Sequence, residues 1–220
     1  MEKSDLRNET LHIQAYEYLY NQIISGEIPP GQKVVELKIV KETGISRSPI
    51  REAIRQLVSE GLLVVHPRGG VSVYRATATD FKYLYECRLS IEPTAAYYAA
   101  IRSSELQRFQ FDQLMNEMHK AVGNKEMDVL RRLSGKFHNM ILEMSGNPYL
   151  VKMLRQLYSL TTFYRNVILN IPQRIESGAM EHQKIWKAII DQDGDLAEKL
   201  MKEHLMSDFE YYISEHHNKS

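Results

Sequence analysis

Apolar residues recur at helical spacing through most of the chain, and the breaks between those runs separate two unlike parts. Ile13, Tyr16, Leu19, Tyr20 and Ile23 predict an amphipathic helix over 11–25. A break at Gly26, Pro29, Pro30 and Gly31 follows, and then a short helix over 36–43 that Gly44 is placed to end. Ser46 can cap the next helix, with Pro49 in its first turn where a missing N–H costs little. Ile50, Ile54, Leu57 and Val58 give that helix a buried stripe up to Gly61. The β-rich runs 62–66 and 71–74, joined by Pro67-Arg68-Gly69-Gly70, predict a hairpin.

Beyond the small-residue stretch Ala76-Thr77-Ala78-Thr79 the pattern becomes long helical segments with few breakers. Helices are expected near 79–101, 104–122, 126–145, 148–170, 174–192 and 194–216. Between them lie Arg102-Ser103, Gly123-Asn124, Gly146-Asn147-Pro148, Ile171-Pro172 and Asp193-Gly194. Pro93, inside the first, should kink or break it. The fold class is therefore mostly α. A winged helix-turn-helix with a small β-hairpin occupies 1–76, and an antiparallel bundle of about six helices occupies 79–220.

Composition narrows the class further. Hydrophobic residues are 43% and charged residues 25% of 220 positions, enough apolar surface for a core and too much for wholesale disorder. Cys87, the one cysteine, cannot form an internal disulfide, which fits a reducing cytoplasmic compartment. Residues 1–10 are polar and mixed in charge, without the apolar core of a signal peptide, and no apolar run approaches the ~18 residues of a membrane span. Acidic and basic residues balance at 28 each over the whole chain. Between Lys33 and Arg75, however, eight basic residues face four acidic ones, a local excess that suits a phosphate-binding face.

Much of that excess lies on the helix after Ser46. Arg47, Arg51 and Arg55 are spaced by four and share one face, opposite the apolar stripe. The preceding helix joins it through Thr43-Gly44-Ile45, a helix-turn-helix spacing, and Arg68 sits at the hairpin tip. Exposed arginines are by default a solvated face. Here the glycine turn, the basic hairpin tip and the scarcity of acids (only Glu52 lies between Arg47 and Arg55) favour a helix that enters the DNA major groove.

The run Gly44-Ile45-Ser46-Arg47-Ser48-Pro49-Ile50-Arg51-Glu52-Ala53-Ile54-Arg55-Gln56-Leu57, followed by Glu60-Gly61-Leu62, resembles the winged-helix signature of GntR-type bacterial transcription regulators. Ile23-Ile24-Ser25-Gly26 and Pro30-Gly31 match the family's first helix and the turn after it, so the resemblance covers about 11–75. It implies that Arg47 and Arg51 read DNA and that Gly69 and Gly70 let the wing approach the backbone. Ser46, Ser48, Arg55 and Arg68 would make supporting contacts. Leu37 stands where some members carry a further DNA-contacting arginine, so operator preference does not carry over.

In the helical part, three histidines fall on or beside buried faces of different helices. His138 lies beside the stripe Leu130, Leu133, Phe137, Met140, Met144. His182 starts the row Ile185, Trp186, Ile189, and His204 continues Leu196 and Leu200. The others, His12, His66, His119, His216 and His217, fall at helix ends, on polar surfaces or in the hairpin. A lone core histidine is usually just hydrogen-bonded. Burying three imidazoles costs free energy unless they share a partner, and a divalent cation of the Zn²⁺ or Ni²⁺ kind suits nitrogen donors.

This part resembles the all-helical effector (FCD) domain of the FadR branch of the GntR family. The resemblance runs through Leu84-Tyr85-Glu86-Cys87-Arg88 with Glu92, Phe137-His138 with Gly146-Asn147, Glu181-His182 with Ala188-Ile189, and His204-Leu205. Many members bind a metal with one Asp and three His, and the metal anchors an organic acid. His138, His182 and His204 match the histidines. The Asp belongs one turn before the first histidine, and that position is Ser134. Either a three-His site completed by water or effector remains, or the metal is weak or absent. The resemblance points Arg88 at the effector pocket, where a guanidinium suits a carboxylate. An ion pair with Glu92 at i+4 is the plainer alternative, and Tyr164 and Arg165 could also line the cavity.

Together these readings imply a homodimeric cytoplasmic regulator, not an enzyme and not membrane-bound, that binds near-palindromic double-stranded operator DNA. Its affinity would respond to a small carboxylate-bearing metabolite rather than a fatty acyl-CoA. Two other classes remain open: a metal sensor with the ion as effector, and a metalloenzyme built on the three histidines. The second lacks an evident general base, since Glu181 is about 100° from His182 on the helix.

Overall fold

Why the first unit folds as it does is legible in its helices. A computed structural model describes residues 3–75, 77–155, 157–168 and 172–217, so the expectations placed on Ala76 and on 169–171 lie outside the described residues. The chain divides into two units, the first comprising 1–77 together with Tyr158–Leu160 and the second comprising 78–157 and 161–220. In the first, α1 (Lys3–Ile24) buries Ala15, Leu19 and Ile23, one residue per turn on one face, against α3 (Arg47–Ser59). Tyr16 and Tyr20 are half-buried beside them. Ile13, expected on this face, is 49% exposed, because the buried row runs through Ala15 instead.

Helix α2 (Glu36–Thr43) ends at Gly44, whose φ of 70° is the left-handed conformation that closes a helix cheaply only at glycine. Its N–H donates to the Val40 carbonyl. Ser46 occupies the N-cap position of α3 in extended conformation, yet its hydroxyl makes no capping hydrogen bond. Ile39, Ile45, Ile50, Ala53, Ile54 and Leu57 are buried, while Val58 is half-buried.

The hairpin forms as β2 (Leu63–Val65) and β3 (Val71–Val73), antiparallel with Leu63 opposite Val73 and Val65 opposite Val71. A third strand, β1 (Lys33–Val34), pairs with the other edge of β3, giving the order β1-β3-β2. Its two residues are too short to show an alternating pattern, so the sequence carried no sign of it.

The second unit is helical: α4 (Ala78–Arg102), α5 (Glu105–Asn124), α6 (Met127–Met144), α7 (Pro148–Arg155), α8 (Tyr158–Ile168), α9 (Pro172–Ile190) and α10 (Gly194–His217). Helix α4 runs unbroken through buried Pro93; its packing on α10, α6 and α9 sustains it across the missing N–H. Ala95, Ala96, Ala99 and Ala100 on α4 are fully buried, and small side chains allow close helix approach. Ser104 caps α5 in a reciprocal pair with Gln107. The segment expected as one helix over 148–170 is two, α7 and α8. They are divided where the Leu157 N–H donates to the Leu154 carbonyl in a tight turn, with no proline or glycine to mark it. Leu196 is exposed and Leu200 half-buried; α10 buries Ala197, Met201 and Leu205 instead.

Candidate functional site

Two groups of residues carry chemistry, one in each unit. In the first, Ser46, Arg47, Ser48, Arg51 and Arg55 are all exposed along one side of α3. The scarcity of nearby acids does not hold in three dimensions. Arg51 Nε donates to Glu36 Oε2 of α2 at 2.9 Å, and Arg55 pairs with Glu52 one turn away. Both pairs are solvent-exposed and so worth roughly 0–1 kcal/mol, which phosphates can replace. Leu37, on α2, is 52% exposed.

At the wing tip Arg68, Gly69 and Gly70 are exposed. The turn is closed by Gly69 N–H donating to the His66 carbonyl and His66 N–H donating to the Gly70 carbonyl. Gly69 and Gly70 have φ of 86° and 93°, which an L side chain adopts only with strain, although the space around each is open. His66 Nε2 lies 2.7 Å from Ser72 Oγ, bracing the wing from inside.

In the second unit His138 of α6, His182 of α9 and His204 of α10 come together, all buried, with one ring nitrogen of each within 4.8 Å of the others. His182 Nε2 and His204 Nε2 are 3.3 Å apart. Two nitrogens each about 2.0–2.1 Å from one tetrahedral ion stand at nearly that separation. Of the five remaining histidines, the side chains of His216 and His217 lie outside the described residues.

The outer ring nitrogens are held from behind. His138 Nδ1 lies 2.5 Å from Glu92 Oε2, and His204 Nδ1 lies 2.7 Å from Glu181 Oε2. An ionised carboxylate can only accept, so in each contact Nδ1–H donates and the Nε2 lone pair faces inward. His182 Nδ1 faces Met118 Sδ at 3.5 Å. Without an ion, His182 Nε2–H can donate to the His204 Nε2 lone pair. With its proton moved to the Met118 side, two lone pairs face each other, which only a cation between them makes favourable.

Electrostatics agrees. Burial pushes the His138 imidazole down to about 3, more than the nearby Glu92 carboxylate raises it. Burial, then the neighbouring His204 and His138, hold His182 well below its ordinary value. Both are thus neutral, the form that ligates. Burial alone would raise Glu92, but Arg88 and then His138 hold it below the usual carboxylate range. Asp208 is lowered too, against the cost of burial, by His204 and Arg174.

Arg88 is fully buried, with Nε donating to Glu92 Oε1 at 2.6 Å and its guanidinium carbon 4.6 Å from the Tyr85 ring centroid. The ion pair thus forms, yet Nη1 and Nη2 have no hydrogen-bond partner among the described residues. Ser134 is buried and lines a cavity of about 30 Å³ shared with Arg165, Arg174, His182, His204 and Asp208. Arg88 is not part of that lining. Tyr164 instead joins an aromatic cluster with Phe81 and Tyr212.

Sequence reasoning missed Arg174, Asp208 and the supporting part played by Glu181. Arg174 pairs with Glu181, donates through Nε to Asp208 Oδ1 at 2.7 Å and lies 3.1 Å from His204 Nδ1. Asp208 stands one helical turn after His204, a spacing that could have flagged it. The others depend on how the helices pack.

The donor set fits a divalent cation: three convergent imidazoles, at least two of them neutral, carboxylates behind two of them, and a small cavity beside them. A winged helix-turn-helix joined to such a helical unit defines a class of bacterial regulators. Residues 11–73 match the model of bacterial regulatory proteins of the gntR family, and residues 83–207 match that of the FCD domain. The chain belongs to the gntR family, as an HTH-type transcriptional regulator with an FCD effector-binding domain.

It is 30% identical to the uncharacterized HTH-type transcriptional regulator YdhC of Bacillus subtilis (strain 168), over 91% of this chain and 90% of that protein. It is 26% identical to the HTH-type transcriptional repressor RspR of Escherichia coli (strain K12), over 87% and 84%. Among solved structures, E. coli McbR/YncC superposes with a TM-score of 0.81 at 19% identity, covering 93% of this chain and 98% of that one, a likeness of fold. Among the described residues no helix is long and apolar enough to cross a membrane.

Proposed function

We propose that this regulator controls transcription through a divalent cation of the Zn²⁺ or Ni²⁺ kind, held by His138, His182 and His204, with a small carboxylate-bearing metabolite as the effector. The observation that carries this reading is the 3.3 Å approach of two inward imidazole nitrogens with a third histidine beside them. When bound, the ion would supply a Lewis-acidic point for an anionic oxygen. Glu92 and Glu181 fix the tautomers of His138 and His204. The guanidinium groups of Arg165 and Arg174 on the cavity wall would provide positive charge for a carboxylate, whereas Arg88, paired with Glu92 outside that lining, would reach an effector only if the cavity extends to it.

At the other end, Arg47 and Arg51 would read bases from the major groove. Ser46, Ser48, Arg55 and Arg68 would hold phosphates, and Gly69 and Gly70 would let the wing close on the backbone. A cytoplasmic homodimer would then present two recognition helices to a near-palindromic operator. The effector acts only as far as it binds the DNA-competent and DNA-incompetent arrangements unequally.

A second reading, a sensor whose effector is the ion itself, gains support from the size of the cavity. At about 30 Å³ it suits an ion and a water or two, and would have to open for an organic acid. One experiment tests both. The protein is dialysed against Zn²⁺ or Ni²⁺ and its metal content measured, and operator affinity is then followed on adding chelator, alone and with candidate organic acids. Near-stoichiometric metal with an acid-dependent response supports the first reading, and a response to chelator alone supports the second. Metal far below one ion per chain removes both.

A further inference from the structure

The carboxylate expected one turn before His138 is missing, because position 134 is a serine whose hydroxyl stays neutral and cannot offset a dication. Another carboxylate lines the same cavity. Asp208 is buried, lines the cavity with Ser134 and His204, and places Oδ2 3.7 Å from His204 Nε2, the nitrogen that faces inward. His204 and Asp208 are four residues apart on α10, so both side chains project from one face, a spacing by which helices present paired metal ligands.

Its remaining contacts suit a ligand. Arg174 Nε donates to Oδ1 at 2.7 Å and fixes the carboxylate plane. Among the described residues Oδ2 accepts a single, long 3.2 Å hydrogen bond, from the Tyr85 hydroxyl, and a carboxylate oxygen has a further lone pair to give. The three imidazoles converge within 4.8 Å without Asp208, whose Oδ2 would close on an ion from beside His204 Nε2 to complete a nitrogen–oxygen donor set suited to Zn²⁺ or Ni²⁺.

We propose that Asp208 is the carboxylate ligand of the three-histidine site, the acid having moved from one turn before the first histidine to one turn after the third. This rests on the metal reading above and adds a residue to it. Arg174 and Tyr85 are then positioning residues that orient the carboxylate from outside.

The test is a competition titration of Zn²⁺ or Ni²⁺ against a chromophoric chelator, on the full chain. Loss of an outer-shell partner costs about 10–100-fold in metal affinity, so loss of a ligand should reach or exceed about 100-fold in Asp208→Asn. Adding Ser134→Asp to Asp208→Asn should restore most of that loss, since a carboxylate returns to the same cavity. Wild-type-like affinity in Asp208→Asn, or no recovery in a folded double variant, overturns the proposal. Should Asp208→Asn fail to fold with Arg174 left unpaired, a structure of the metal-loaded wild-type chain decides. An Asp208 oxygen about 2.0–2.2 Å from the ion supports the proposal, and one beyond about 3 Å overturns it. A wild-type chain that takes up neither metal overturns the metal reading itself, whereas tight wild-type binding unaffected at position 208 overturns only this one.

Discussion

One carboxylate links the arginine and the first histidine: Glu92 accepts from Arg88 through Oε1 at 2.6 Å and contacts His138 Nδ1 through Oε2 at 2.5 Å, with all three side chains buried. The Arg88 charge is therefore balanced inside the core, and the His138 ring is held with its Nε2 inward. Glu92→Gln keeps the shape and removes the charge, leaving a buried guanidinium unpaired. The expected loss is about 3–5 kcal/mol in urea unfolding. A loss under about 1 kcal/mol would mean that the pair does not carry that charge.

Glu181 supports His204 from outside the ring. Glu181→Gln should weaken Zn²⁺ or Ni²⁺ binding by about 10–100-fold without displacing the histidines. Unchanged affinity in the chelator competition would argue that the ion, if bound, does not use His204.

Arg51 lies exposed on α3 and pairs with Glu36. Arg51→Ala should cost about 1–3 kcal/mol of specific DNA binding and relax preference at one operator position. Selection from a randomised operator library measures this, and an unaltered base profile would refute the base-reading role.

Arg68 at the wing tip should behave differently. Its replacement by alanine should weaken binding to all sequences alike and reduce the salt dependence by about one counterion. Titrations at several salt concentrations measure the slope, and a sequence-selective loss would place Arg68 on a base instead.

Much of this organisation is legible in the sequence because it rests on local rules. Gly44, Ser46 and the Ile50–Ile54–Leu57 stripe mark the turn and the core face of α3, and helical periodicity puts His138, His182 and His204 each on a buried face. What stayed hidden depends on tertiary placement. The strand Lys33–Val34 exists only because β3 offers it an edge, and the break between α7 and α8 carries no breaker residue. Glu36 meets Arg51 across the helix-turn-helix, fifteen positions away, so counting acids along α3 alone could not find it. Arg174 and Asp208 meet across two helices that sequence spacing does not relate.

The central test is to mix the purified, metal-loaded chain with sheared genomic DNA from its organism at moderate salt, with and without candidate organic acids and a chelator, and to sequence what is retained. The expected result is enrichment of a near-palindromic site whose retention responds to an organic acid and loses that response when chelator removes the metal. Retention without sequence preference, or a palindromic site whose response to the acid survives metal removal, contradicts the reading.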